Sequence, residues 1–140
     1  MITSIKDKKE LLDLASDFTG FIKKRGWISR YDSDSDSLSV TAPNLSKDAR
    51  IRYFGNEIAF YITEDNRVEG LFLEYFKSNF VEHHRGLRPV IRAIEKEVSD
   101  GALIRINREE VQKIAPDLQK AIRSSLVETM SLNSQNKFSV

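Results

Sequence analysis

Trp27-Ile28-Ser29-Arg30-Tyr31, then Asp32-Ser33-Asp34-Ser35-Asp36-Ser37, then Leu38-Ser39-Val40-Thr41-Ala42-Pro43 is the stretch on which the fold turns. Its outer thirds alternate with a period of two, the signature of strands with one buried face. The Asp-Ser run between them is turn chemistry, because short polar side chains hydrogen-bond their own backbone. Pro43 ends the second strand. The chain therefore makes a hairpin here, and the same pattern continues downstream. Ile51 and Tyr53 alternate with Arg50 and Arg52, Gly55-Asn56 supplies a tight turn, and Glu57 to Ile62 is rich in aromatic and β-branched residues. Thr63 to Asn66 is the next turn, and Val68 to Phe76 reads as a fifth strand.

On either side the period becomes helical. Ile5, Leu11, Leu12, Leu14, Ala15, Phe18, Phe21 and Ile22 recur at helical spacing. Ser4 and Asp7 suit the start of that helix, and Lys23, Lys24, Arg25 and Gly26 suit its end. Downstream, Leu87, Val90, Ile91, Ile94 and Val98 form one stripe, with Pro89 near the first turn and Asp100-Gly101 at the stop. Ala102 to Ile106 allows a brief strand. Asn107 with Glu110 starts another helix, whose stripe runs from Val111 to Met130 and which Pro116 must kink or restart. The expected fold is α+β: an N-terminal helix, a five-stranded antiparallel meander and two C-terminal helices packed mainly on one sheet face. Residues 1–132 form a single domain and 133–140 a flexible tail.

Composition bounds the function classes. The chain has 140 residues, 40% of them hydrophobic and 31% charged, a formal net charge of +1 and no cysteine. One domain of this size buries enough surface to need no staples. The absence of cysteine removes disulfides, thiolate zinc sites and a Cys nucleophile. No apolar run is long enough to span a bilayer, and no secretory segment opens the chain. A cytoplasmic protein is expected.

Two strings resemble a known family. Tyr31-Asp32-Ser33-Asp34-Ser35-Asp36-Ser37-Leu38-Ser39-Val40 is similar to the opening of the YuzE-like family of small uncharacterised bacterial domains. Asn66-Arg67-Val68-Glu69-Gly70-Leu71-Phe72-Leu73 resembles the family's closing hairpin. The resemblance covers residues 27–76. It implies a small twisted sheet with a helix on one face, an antitoxin-like binding role and no established activity. No site residue carries over. The flanking helices of this chain depart from the family's short domains.

Several residue sets suggest chemistry. Asp32, Asp34 and Asp36 are spaced like the first ligands of a calcium loop, but Ser37 and Pro43 stand where that loop needs Gly and Glu. A looser metal site, joined by His83 or His84 for hydrolysis, is the wider version of that idea. The two histidines are adjacent, which on a helix sets them about 100° apart, and no His-Glu-x-x-His or Gly-x-Ser-x-Gly motif is present. Arg85, Arg88, Arg92 and Lys96 line one helix face, with His84 at its start, and offer an anion or nucleic-acid strip that Arg50 and Arg52 would assist. The aromatic residues from Tyr53 to Phe80 divide by alternation between core and a stacking or contact surface. No catalytic constellation and no cofactor are expected. The reading is a non-catalytic protein-interaction module that binds through a sheet edge or the terminal helix. The surplus of apolar stripes leads us to expect pairing with a protein partner or a second copy.

Overall fold

The computed structural model describes residues 5–55, 57–97, 103–106 and 108–138. The elements are α1 (Ile5–Ser16), α2 (Phe18–Arg25), β1 (Ile28–Asp32), β2 (Ser37–Thr41), β3 (Arg50–Phe54), β4 (Ile58–Ile62), β5 (Val68–Leu73), a π-turn (Phe76–Phe80), α3 (Val81–His83), a 3-10 turn (Arg85–Leu87), α4 (Arg88–Glu97), β6 (Leu103–Ile106) and α5 (Arg108–Phe138). The start signal at Ser4, the stop at Asp100-Gly101 and the cap at Asn107 lie outside the described residues.

The α+β class holds, with corrections. The sheet has six strands in the order β3-β4-β5-β2-β1-β6, every pair antiparallel. It is not a five-stranded meander. β6 joins the free edge of β1, with Arg30 opposite Arg105. β2 pairs with β5, so β3 lies at the far edge although it follows β2 in sequence. The connection from Ala42 to Ala49 is long enough for that transfer. It is fixed to β5, because the Glu69 carboxylate accepts the Ser46 N–H at 2.8 Å and its hydroxyl at 2.6 Å.

The N-terminal helix is two helices, broken at Asp17. A break strands backbone groups, and here one side chain meets two of them. Gln119 of α5 donates to the Ser16 carbonyl at 2.9 Å and accepts the Thr19 N–H at 3.0 Å. Gly26 does close α2 in the left-handed conformation, with φ of 63°. The fifth strand ends at Leu73 rather than Phe76, since Tyr75 turns left-handed at φ 51° and the π-turn begins. α5 does not restart at Pro116 and continues to Phe138, past the domain end expected at 132. The lost proline hydrogen bond is outweighed by burial of Ala115, Leu118, Ala121, Ile122 and Leu126 along its length.

The buried residues form one cluster. Its strand residues come from one face of the sheet, including Tyr31, Leu38, Val40, Ile58, Phe60, Leu71 and Leu73. Trp27 and buried residues of α1, α2, the π-turn, α3, the 3-10 turn, α4 and α5 complete it. No helix among the described residues is long and apolar enough to cross a membrane.

Candidate functional site

Three distant segments meet at Glu57, which sits between the β3–β4 turn and the first residue of β4. The turn needs Gly55, whose φ is +85° and whose missing Cβ leaves room for Thr129 of α5. That close approach carries the Glu57 side chain, 14% exposed, beneath α3 and beside α5. One carboxylate oxygen accepts the Ser125 hydroxyl at 2.9 Å and lies 3.0 Å from His84 Nε2. The other lies 3.2 Å from His83 Nδ1 and accepts the Asn79 amide at 3.4 Å. Burial pushes the Glu57 carboxyl up, but the hydrogen bonds from His84, His83 and Ser125 outweigh it and hold it below its ordinary value. An ionised carboxylate only accepts, so each ring carries its proton on the nitrogen that faces Glu57.

The two imidazoles therefore converge, contrary to the helical spacing assumed from sequence. His84 leaves the helix at φ −132° and ψ 74°, so its ring swings to the same acceptor as His83. It also packs on Phe80, ring centres 4.4 Å apart. Around this node lies a groove of about 520 Å³ that Ser124, Glu128 and Thr129 help to line. A nucleophilic triad needs a hydroxyl that gives its proton to an imidazole. Here Ser125 and His84 both address the carboxylate, so the arrangement ties segments together and does not activate a nucleophile.

The aspartates do not converge. Asp36 is itself a node: its carboxylate accepts the Tyr31 hydroxyl at 2.7 Å, the Lys77 N–H at 2.8 Å, and the Ser78 N–H and hydroxyl at 3.0 and 2.8 Å. These bonds overcome burial and hold its carboxyl low, while burial and the bond to Asp36 push the Tyr31 phenol up. Asp32 accepts the Asp34 N–H at 3.0 Å in a local turn. Among the described residues no group of three or more His, Asp or Glu is placed to hold a metal ion.

The arginine strip is partly assembled. Arg85 lies in the 3-10 turn, and Arg88 and Arg92 on α4; all three are exposed. The Lys96 side chain lies outside the described residues. His84 is not part of the strip, since it is 12% exposed and committed to Glu57. Arg50 and Arg52 occupy the opposite strand face from Tyr53, because β3 alternates.

The sheet's other face is exposed toward its two edges, at Ile51, Tyr53 and Arg105, and buried at its centre, where Ala59, Gly70 and Thr41 lie. One row crosses all six strands as Tyr53, Ala59, Phe72, Ser39, Arg30 and Arg105, and the next runs Ile51, Tyr61, Gly70, Thr41 and Ile28. Ile51 is 40% and Tyr53 53% exposed. The Tyr61 and Phe72 rings meet edge to face at 6.4 Å. Neither they nor Ile51 and Tyr53 belong to the buried cluster. Of the aromatic residues singled out in the sequence, Phe54, Phe60, Phe76 and Phe80 are core, and Tyr53 and Tyr75 are exposed. Comparisons with protein-family models, with curated proteins and with solved structures find no match.

Proposed function

We propose that this chain is a non-catalytic cytoplasmic protein-interaction module that binds a partner protein through edge strand β3 and the apolar half of the open sheet face. The observation that carries the reading is the patch of Ile51 and Tyr53 on β3, Tyr61 on β4 and Phe72 on β5, all outside the buried cluster and next to an edge strand that, among the described residues, pairs with β4 alone. An unpaired edge offers main-chain hydrogen bonds to an incoming strand, and alternating apolar side chains give such a partner its register. Tyrosines suit the role, since they bring contact area at small entropic cost. The resemblance of residues 27–76 to YuzE-like domains, some of whose relatives are antitoxin-like partners, points the same way. The polar nodes at Glu57 and Asp36 are occupied by internal bonds, which favours a scaffold over a catalyst.

The test is site-directed photocrosslinking in cells of the source species. A crosslinker at position 53 should give one defined partner adduct, and one at Val127, exposed on α5, should give none. No adduct at 53, or the same adducts from both sites, counts against the reading. An adduct containing only this chain would make the partner a second copy.

A further inference from the structure

At the far end of the open face from β3, the register brings like charges together. Arg30 of β1 and Arg105 of β6 stand directly opposite, and Arg108 begins α5 two residues after β6 ends. Like charges opposite each other across a strand pair are destabilising, and a cation at a helix start opposes the macrodipole. Among the described residues none of the three guanidinium groups makes a hydrogen bond or an ion pair within 4.0 Å. Asp32, next on the same strand face, accepts the Asp34 N–H. Glu110 of the first turn of α5 pairs with Lys113 at 3.6 Å.

The three arginines line one groove of about 380 Å³, with Trp27, Pro43 and Val111 among its apolar walls. That volume falls within the usual range for small-molecule clefts. We propose that this groove binds the phosphate of a small phosphomonoester, its organic part against Trp27 and Pro43. The charge and geometry select the ligand class. A phosphomonoester near neutral pH is close to a dianion with three terminal oxygens, one for each guanidinium fork. A carboxylate brings one charge and two oxygens. The uncompensated cations are then a free-state cost that the ligand removes, independent of whether a protein occupies β3.

The experiment is an amide NMR titration of the full chain at low ionic strength, with phenyl phosphate, inorganic phosphate and benzoate as probes. Phenyl phosphate should perturb amides around residues 26–30 and 105–111, with benzoate binding about tenfold more weakly or worse, given the strength of charged hydrogen bonds. The Arg105→Gln/Arg108→Gln variant should lose about tenfold or more in affinity and melt no lower than the parent, whereas Arg88→Gln/Arg92→Gln should bind unchanged. Overturning results are no perturbation in those segments, equal binding of benzoate, undiminished binding by the Arg105→Gln/Arg108→Gln variant, its melting lower, or loss of binding in the α4 variant. Tenfold tighter binding of a phosphotyrosine peptide or a 5′-phosphorylated oligonucleotide would replace the small molecule with that ligand.

Discussion

Phe60 and Tyr61 are neighbours on β4, yet they belong to different worlds. Phe60 is fully buried among helix residues, and Tyr61 stands half-buried on the open face beside Phe72. Both faces of the sheet are aromatic-rich, so composition does not separate them. What separates them is where the helices lie. The helix side is closed by packing and by two carboxylates that gather donors from remote segments. The open side has Tyr53, whose hydroxyl meets Glu74, and the arginines Arg30 and Arg105, which form no ion pair among the described residues. One side holds the fold together, and the other carries the rings and arginines on which the binding proposals rest.

The comparison breaks most visibly at Phe60. Phe60→Ala should cost about 3–5 kcal/mol in urea unfolding, as for a large ring deleted from a packed core. A cost under about 1 kcal/mol would mean that this face is not the core. Asp36→Ala should cost about 2–3 kcal/mol, since four hydrogen bonds lose their acceptor and the π-turn loses its cap. Glu57→Gln should cost about 1–2 kcal/mol, because an amide cannot accept from both imidazoles, Ser125 and Asn79 together.

Acid sharpens the same contrast. Asp36 and Glu57 are both held below their ordinary values of 3.8 and 4.5. The unfolded chain therefore takes up protons first as pH falls. Their stabilisation is complete above the ordinary carboxylate range and is lost as pH drops through it toward the folded values. Chemical denaturation at a series of pH values should show this loss, reduced in Asp36→Asn and in Glu57→Gln. Identical acid profiles for parent and variants would remove the two nodes from the account.

The smallest effects belong to the least partnered groups. Ser29 is fully buried on the helix side, and among the described residues its hydroxyl has no hydrogen-bond partner. Ser29→Ala should be neutral or stabilising by up to about 1 kcal/mol, because it removes an uncompensated polar group. Ile51→Lys/Tyr53→Lys on the open face should change stability by no more than about 0.5 kcal/mol, while abolishing the partner adduct. A large loss of stability from that pair would place them in the core after all.

Local signals carried far in this chain. The alternation at Leu38, Val40 and Ile58 to Ile62 identified strands, and the basic run before Gly26 marked a helix end, because periodicity and left-handed caps depend on neighbours in sequence. The nodes were not legible. Asp36 reads as part of a polar turn, and its donors at Lys77 and Ser78 arrive 41 and 42 residues later. Glu57 has no local signature at all; Ser125, 68 residues away, supplies one of its bonds. The two histidines stand out in the sequence, but helical spacing sets their rings apart, whereas His84 leaves the helix and turns to Glu57.

By itself the sequence determined an α+β chain with an alternating β region, helices on both sides of it and no metal or nucleophile motif. Tertiary structure decided the rest. It sent β3 to the far edge, added β6 beside β1, joined Glu57 to two imidazoles and set Arg30 against Arg105. The reason is that side-chain period is a property of a few adjacent residues, whereas strand order and register are fixed only when one sheet face must be buried by all the helices at once.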